Sequence, residues 1–464
     1  MTDLSAGTTQ SQPSDAAIGS SSKKDHGKRS AAAGFFGGML EYYDMSIYAS
    51  ASSLVFARIF FPDVGASALL LSLATFGVAY LARPLGGLIA GHIGDRFGRR
   101  NVMIGTLLTM GIATFLIGCL PAYSAIGLAA PVMLVALRLV QGLSVGGELS
   151  GSIALTLEHA PETRRASYTS WQVNGIWVGY ILASLAFIVV GTLPQDQLLA
   201  WGWRIPFWSS ALIVLVGLII RRATKEPEIF ADAKDKGAIA KAPLGDLFRF
   251  QALDVVKVVL IALLISSANI IMVFGLAYAT SAVRIPSTTM LWILIVGYVG
   301  CLVVQPAAAI LSDRIGRRPV LIAGNLLAVP AVWLYFWAIS TGNVLLIIVG
   351  TILTLSVAFG AVNVVHPVYF AETFNVRFRI TGMALGLQLG AVISGFAPTI
   401  AQAFAGEHGD IWWPACVFAM SASLISASAV FFSRETFRTP LTQLGVRETA
   451  GTGRRSVSER TIQL

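Results

Sequence analysis

The sequence predicts an all-α integral membrane protein with twelve transmembrane helices in two six-helix bundles. Three observations predict this class: an apolar composition, a series of long charge-free runs, and an internal repeat near half the chain. Of the 464 residues, 55% are hydrophobic and only 12% are charged, whereas a soluble domain carries about 25% charged residues. This composition argues against a disordered chain, a nucleic-acid-binding protein and a soluble two-domain enzyme.

Charge-free runs locate the helices, because a bilayer core needs roughly 20 apolar residues per helix. The run over residues 319–371 is long enough to cross twice, and Ser340-Thr341-Gly342-Asn343 within it has the composition of a turn. Helices are predicted near residues 32–60, 67–92, 101–120, 126–157, 166–192, 203–222, 252–283, 288–311, 319–339, 343–370, 378–404 and 411–433.

Polar segments divide these helices into domains. Residues 1–31 are rich in Ser, Gly and Thr and predict a disordered cytoplasmic tail. The apolar segment that follows is too long for a cleaved signal peptide. We expect a six-helix bundle over 32–222 and a cytoplasmic central loop over 223–251. A second bundle is predicted over 252–433, and a cytoplasmic tail over 434–464.

The basic residues predict the orientation in the membrane. With the N-terminus inside, 28 Lys and Arg residues fall in inner loops and tails, and only Arg58, Arg204 and Arg284 fall outside. This asymmetry follows the positive-inside rule and places both termini in the cytoplasm. The net charge of +9 therefore indicates topology and attraction to anionic lipid, not nucleic-acid binding.

An internal repeat predicts the architecture. Residues 94–100 read GDRFGRR and residues 312–318 read SDRIGRR. A second pair of positions recurs at almost the same offset, with Glu158 and Arg165 matching Glu372 and Arg379. Two agreeing signals indicate a parallel duplication of a six-helix unit, as found in transporters whose site lies between the halves.

The repeated positions predict a charge network that gates the cytoplasmic face. Glycine permits the sharp turn, an aspartate caps a neighbouring helix, and arginines pair with a glutamate when that face closes. Positive-inside decoration, the alternative, explains the arginines but not the repeated Gly and Asp. The predicted gate residues are Asp95, Arg96, Arg99, Glu158, Arg165, Asp313, Arg314, Arg317, Glu372 and Arg379.

The two Asp-Arg-x-Gly-Arg-Arg turns resemble the signature turn of the major facilitator superfamily. Residues 54–62 are similar to the shikimate-transporter group of its metabolite–proton symporter branch. Further motifs similar to that branch are Glu41-Tyr42-Tyr43-Asp44, Arg83-Pro84-Leu85-Gly86-Gly87, Gln141-Gly142 with Gly146-Gly147-Glu148, and Trp201-Gly202-Trp203-Arg204-Ile205-Pro206-Phe207. The resemblance, over residues 32–435, implies a major facilitator fold in the inner (plasma) membrane and proton-coupled uptake of a small organic acid. The family more often has Trp at the position of Tyr42.

Intramembrane charges indicate the functional centre, because an ionisable group at membrane depth is costly. Glu41 and Asp44 share one face of helix 1, and Asp44 lies roughly 18 Å from the helix start at about 1.5 Å per residue. Arg138 reaches the same depth in helix 4, which suggests an Asp44–Arg138 pair. The resemblance to proton-coupled sugar carriers implies that this pair couples the proton. A static ion pair that fixes helix packing is the alternative.

We hypothesise that ionised Asp44 holds Arg138, and that protonation frees Arg138 to bind a substrate carboxylate. Glu41 either shares the proton with Asp44 or pairs elsewhere. Arg83 and Glu148 lie in the inner halves of their helices and predict a second pair, with structure or gating favoured over substrate contact.

Polar side chains in other helices are candidate substrate contacts, and interhelical hydrogen bonds are the alternative for each. The candidates are Tyr42, Arg138, Gln141, Trp171, Asn174, Asn269, Asn363, His366 and Gln388.

No phosphate-binding Gly-x-x-x-x-Gly-Lys motif or metal-binding motif occurs, so we expect no cofactor and no metal, with a proton gradient as the driving force. The G-x-S-x-G match at residues 142–146 lies inside a membrane helix and does not predict a hydrolase.

The expected partners are a small metabolite, protons and the bilayer, and a monomer suffices. Alternatives are a proton-coupled efflux antiporter, metabolite exchange without proton coupling, a receptor and a membrane enzyme. Efflux members of the superfamily that this chain resembles usually carry a Gly-Pro pair in helix 5. Because helix 5 here has no proline between residues 166 and 193, the resemblance favours uptake over efflux.

Overall fold

The computed structural model describes residues 15–97, 99–145, 153, 156–157, 160–223, 243–376, 379–406, 409–440 and 443–445. These residues form twelve long helices, numbered here in chain order. The first six are α1 (Asp15–Leu54), α2 (Ala68–Phe97), α3 (Arg99–Cys119), α4 (Ala129–Val145), α5 (Arg165–Val190) and α6 (Ile205–Ala223). The last four are α9 (Arg317–Thr341), α10 (Val344–Thr373), α11 (Arg379–Ala403) and α12 (Trp413–Phe431).

Between these groups lie α7 and α8. The helix α7 runs through Pro243–Ala262, Leu264–Asn269, a π-helical turn at Ile270–Phe274, and Gly275–Ser281, and α8 covers Ser287–Ile315. A second π-helical turn interrupts α10 at Ile352–Phe359. Such turns are common at functional sites, and periodicity did not predict either of them.

The helices have the length and composition that a bilayer requires. Within the described part of the chain, eight are long and apolar enough to cross a membrane, and two shorter apolar stretches lie in α3 and α4. The predicted all-helical membrane fold is therefore confirmed.

Two helix starts differ from the prediction. The helix α1 begins at Asp15 rather than near residue 32, because no proline interrupts the segment between Pro13 and Pro62. The helix α7 begins at Pro243, inside the predicted central loop, and is kinked at Gln251. The rest of that loop, residues 224–242, lies outside the described residues.

The predicted turn between α9 and α10 is present. Gly342 has a φ of 69°, in the left-handed region that favours glycine. The side chain of Asn343 accepts hydrogen bonds from the backbone N–H groups of Leu345 and Leu346 and so caps α10. These two residues allow the charge-free run to cross the membrane twice.

Small residues allow close packing of helices within each half. A Cβ added to Gly175 or Gly179 would collide with the backbone of α1. A Cβ added to Gly386 or Gly390 would come within 2.6 Å of side chains in α7. These are the small-residue faces that bring membrane helices into close contact.

Among the described residues, the two halves meet mainly along four pairs of helices. The helix α2 packs against α11, α5 packs against α8 and α10, and α1 contacts α7. Ser53 of α1 donates a hydrogen bond to the carbonyl of Val273 in α7, at 3.0 Å. The candidate functional residues lie along this interface and in the adjoining core of the first half.

Candidate functional site

A chain of hydrogen bonds links α4 to α1 through α3. Arg138 Nη1 donates to Gln141 Oε1 at 2.9 Å, and Gln141 Nε2 donates to Thr114 Oγ1 at 2.6 Å. Thr114 Oγ1 in turn donates to Asp44 Oδ2 at 2.9 Å. All four side chains are buried. We call them the relay, because every donor is directed from the guanidinium toward the carboxylate.

The predicted direct pair between Asp44 and Arg138 is not formed. Thr114 of α3 and Gln141 lie between the two charges, which depth along α1 and α4 did not reveal. Arg138 also donates from Nε and Nη2 to carbonyls of α2, at 3.3 and 2.9 Å. Its guanidinium lies 3.8 Å from the ring centre of Tyr48. Because every nitrogen of this guanidinium has an acceptor, Arg138 is not available to a substrate carboxylate in this conformation.

Asp44 is the under-satisfied end of the relay. Its side chain is 3% exposed, and among the described residues its Oδ1 atom has no hydrogen-bond partner. A buried carboxylate oxygen without a donor is costly. This oxygen is therefore a place where a proton can bind.

Arg83 of α2 lies beside α1. Its Nη2 atom is 3.9 Å from Glu41 Oε1, and its guanidinium carbon is 4.3 Å from the ring centre of Tyr80. Arg83 is 5% exposed, and its Nε and Nη2 atoms have no hydrogen-bond partner among the described residues. The partner predicted for it, Glu148, lies outside the described residues, and the structure places Glu41 beside it.

Aromatic side chains from both halves surround this region. Tyr180 of α5 packs against Tyr42 of α1 and Tyr298 of α8, with ring centres 5.7 and 5.2 Å apart. Trp177 packs against Tyr180 and Tyr298, at 5.6 and 5.7 Å. Together with Tyr80, which lies against Arg83, these side chains are called the aromatic box. The box joins α1, α2 and α5 of the first half to α8 of the second.

Two of the remaining candidate residues lie apart from the box. Trp171 is 62% exposed on the outside of α5. Asn269 donates to the carbonyl of Ser394 at 2.8 Å and so ties α7 to α11. This interhelical bond is the alternative role that the sequence left open for it.

Four other candidate residues lie in the interior or at its margin. Asn363, His366 and Gln388 are buried, and Asn174 is half-buried. Asn174 Oδ1 and His366 Nδ1 have no hydrogen-bond partner among the described residues. Their part in substrate binding stays a prediction.

The end of α8, where the turn to α9 begins, contacts the start of α5 in the first half. Asp313 accepts hydrogen bonds from the backbone N–H groups of Ala166 and Ser167, at 3.1 and 2.9 Å. These N–H groups belong to the first turn of α5, so the aspartate caps a helix of the other half. We call this end of the molecule the basic face.

A buried glutamate collects arginines from both halves at the basic face. Glu372 lies 3.2 Å from Arg317 Nε and 3.4 Å from Arg165 Nη1. Arg317 also donates to Asp313 at 2.7 Å. The repeated turn and the repeated Glu and Arg positions therefore meet in one network, in which Arg165 and Glu372 form a bond between the halves.

The segment after α12 completes this network. The Glu435 carboxylate accepts the first two backbone N–H groups of α9, at 3.0 and 2.9 Å. Thr436 Oγ1 donates to Glu372 at 2.6 Å, and the Thr439 carbonyl accepts from Arg165 at 3.0 Å. From the sequence, these residues were predicted only to form a polar tail. An acidic residue directly after the last helix, on an arginine-rich face, is the signal that would have found them.

The remaining predicted gate residues are Arg314, Arg379 and four residues of the first repeat. Arg314 is exposed, and Arg379 Nε donates to the carbonyl of Ala371 at 3.0 Å. Glu158 and the side chains of three further residues of the first repeat lie outside the described set: Asp95, Arg96 and Arg99.

Comparison with known families gives the architecture a name. The model of the Major Facilitator Superfamily matches residues 34–281 and 258–461, which together include both halves. The chain belongs to the major facilitator superfamily.

Several characterised members of the superfamily are similar in sequence. The shikimate transporter of Escherichia coli K12 is 36% identical over 418 residues, covering 89% of this chain and 95% of the relative. The inner membrane metabolite transport protein YhjE of the same strain is 35% identical, covering 81% and 88%. A proline/betaine transporter of Salmonella typhimurium is 30% identical, covering 90% and 86%.

Solved structures share the fold. The proton:xylose symporter XylE superposes with a TM-score of 0.71 at 18% identity, covering 91% of this chain and 99% of that one. A partially occluded inward-open form of XylE from E. coli gives 0.70 at 18% identity, covering 89% and 98%. These matches confirm the predicted major facilitator fold.

The family also decides the broad class of function. As a superfamily member whose relatives are transporters, the chain is a transporter and not an enzyme. It is a multi-pass protein, as the composition predicted, and it lies in the inner (plasma) membrane, as the family resemblance implied.

Proposed function

We propose that this transporter carries a small organic acid of the shikimate type into the cell together with a proton, by alternating access. The observation that carries the proposal is the under-satisfied carboxylate of Asp44 at the end of the relay. The 36% identity to a shikimate transporter supports the substrate class.

The relay indicates how a proton on Asp44 changes the contacts between helices. When Asp44 is ionised, it is held to α3 by the Thr114 hydroxyl, and the relay extends from there to Arg138. When Asp44 is protonated, the charge that orients these donors is lost and the link between α1 and α3 weakens. The bonds from Arg138 to carbonyls of α2 do not involve Asp44, so we expect them to hold α4 to α2 in both protonation states. Protonation of Asp44 therefore changes the contacts of α1. The sequence had predicted instead that it releases Arg138 directly.

The basic face supplies the two-state element that alternating access needs. In this conformation Arg165, Glu372 and Asp313 join the halves there, so the basic face is closed. Opening toward the cytoplasm requires these bonds to break. Protonation and substrate binding can bias that equilibrium only through different affinities for the two conformations.

The experiment is uptake of radiolabelled shikimate into proteoliposomes, with and without an inward proton gradient. Competition with α-ketoglutarate, citrate, protocatechuate and betaine defines the substrate class. We expect accumulation that requires the gradient and is competed by carboxylates. If nothing accumulates inward and preloaded vesicles export solute under the opposite gradient, the efflux antiporter replaces this proposal.

Asp44→Asn tests the proton site directly. We expect it to abolish gradient-driven accumulation while exchange of labelled for unlabelled substrate continues, because the amide cannot carry a proton across. Asp63→Asn is the matched control, since Asp63 is an exposed carboxylate in the turn before α2. Concentrative, gradient-driven uptake by Asp44→Asn would show that Asp44 is not the coupling residue.

A further inference from the structure

We propose that Arg83, framed by the aromatic box, binds the carboxylate of the transported acid. The inference rests on the proposed transport of an organic acid and identifies where that acid binds. Arg83 thereby takes the carboxylate-binding role that the sequence predicted for Arg138.

The first argument is the contrast between the two buried arginines. Arg138 donates from all three nitrogens to good acceptors. Arg83 is equally enclosed, yet its Nε and Nη2 atoms have no hydrogen-bond partner among the described residues. Its neighbour Glu41 is 3.9 Å away, whereas a charge-assisted hydrogen bond measures about 2.7–2.9 Å. A buried guanidinium with free donors is costly, and an incoming carboxylate removes that cost.

The second argument is the surface that surrounds Arg83. Tyr80 lies against the guanidinium face, with the guanidinium carbon 4.3 Å from the ring centre, and Tyr180 packs against Tyr42 and Tyr298 in the same box. Beyond them, Trp177 is 1% exposed, and its indole N–H has no partner among the described residues. A flat ring can stack on these faces, and a ring hydroxyl can accept from the indole N–H. The box thus offers a guanidinium, ring faces and an N–H donor, the groups that would recognise a carboxylate carried on a small hydroxylated ring.

The third argument is position. The box contains side chains of α1, α2 and α5 from one half and Tyr298 of α8 from the other. Tyr80 also meets α11, where a Cβ added to Gly395 would collide with its ring. A ligand at Arg83 therefore contacts both halves, as alternating access around a central site requires. Arg138 is directed instead into the core of the first half, between α2, α3 and α4.

The chemistry of Arg83 determines what is recognised. Its planar fork matches a carboxylate through two parallel N–H bonds. The incoming carboxylate competes with Glu41, whose Oε1 atom lies 3.9 Å from Arg83 Nη2. A neutral ester of the same acid offers no such charge, so the discrimination between acid and ester reports on this contact alone.

The test is equilibrium binding of radiolabelled shikimate to the purified protein in detergent, at constant pH and without a gradient. Unlabelled shikimate and its methyl ester are the competitors. The wild type is expected to prefer the acid, and Arg83→Gln to weaken acid binding about tenfold or more and to lose the preference. Arg83→Lys keeps the positive charge but lacks the planar fork of donors. Its preference for the acid over the ester is expected to lie between those of the wild type and Arg83→Gln. Arg58→Gln, which removes an exposed arginine, is the control and is expected to match the wild type.

The outcomes separate this proposal from the proposed function. If Arg83→Gln weakens acid and ester equally, or keeps the acid preference, Arg83 is structural and the proposal is overturned. Should Arg83→Gln fail to fold, Arg83→Lys and Tyr180→Leu carry the test. The proposal requires a reduced acid preference in Arg83→Lys and an unchanged preference, with weaker binding of both ligands, in Tyr180→Leu. If the wild type binds no carboxylate among shikimate, α-ketoglutarate, citrate and protocatechuate, the proposed function itself fails.

Discussion

At the scale of single residues, the relay shows that a charged group's role depends more on how many hydrogen bonds it makes than on how deep it lies in the membrane. Asp44 and Arg138 are both enclosed, but one carboxylate oxygen of Asp44 has no donor among the described residues while Arg138 has three acceptors. The neutral side chains of Thr114 and Gln141 complete the connection. A proton on Asp44 therefore first changes the hydrogen bond from Thr114, the residue of the relay that contacts Asp44 directly.

Thr114→Val should reduce proton-driven uptake by roughly tenfold, because leaving a buried carboxylate without its donor costs about 1–3 kcal/mol. Exchange without a gradient should persist, since the aromatic box is untouched. Thr109→Val is the matched control on the same helix, because Thr109 is exposed and its hydroxyl donates to the Gly105 carbonyl of its own helix. Uptake and exchange are measured in parallel in proteoliposomes. Equal loss of both activities would mean that Thr114 serves packing rather than coupling.

At the scale of helices, backbone contact between α1 and α5 holds both the relay and the box in register. Gly179 faces the backbone of α1 at Met39 and Tyr43, in the same turn of α1 as Glu41 and Asp44. Any Cβ there separates the two helices. Because Tyr42 lies on α1 and Tyr180 on α5, such a separation also opens the aromatic box.

Gly179→Ala should lower the melting temperature and weaken substrate binding together, since overpacking a close contact costs about 1–3 kcal/mol. Gly105→Ala provides the control, because nothing lies within 4 Å of a Cβ at that position. In a helix interior, alanine there should be neutral or stabilising by about 0.5–1 kcal/mol. Thermal unfolding of the two purified variants measures the difference. A Gly179→Ala protein as stable as Gly105→Ala would contradict backbone contact between α1 and α5.

At the scale of the whole molecule, local sequence predicted more than long-range packing. The Gly342–Asn343 turn depends on a few adjacent residues, so its composition predicted it. The Asp313 cap was predicted from the repeated turn motif, but the helix that it caps, at Ala166 and Ser167, belongs to the other half. The relay depends on which helix lies between α1 and α4, and an Asp44–Arg138 pair was expected instead. The contacts of Glu435 with α9 require knowing where a polar tail folds back, and composition carries no such information.

The network at the basic face should set the balance between the closed and open conformations. Glu372 is fully enclosed and binds arginines from both halves. Removing one partner of a buried ion pair costs about 3–5 kcal/mol. In Glu372→Gln that cost falls on the closed form, whose population relative to the open form should fall by at least about a hundredfold. Asp410→Asn, an exposed carboxylate at the other end of the molecule, should change nothing.

Distances between spin labels across the basic face measure this shift. In a cysteine-free background, labels replace Arg164 at the start of α5 and Ile315 at the end of α8, both of which are exposed. The wild type should give one main distance, and Glu372→Gln should add or favour a longer one. Thr436→Val, which removes only the hydroxyl that donates to Glu372, should shift the populations in the same direction by less. An unchanged distance distribution in Glu372→Gln would show that the closed form is held by helix packing rather than by the ion pairs.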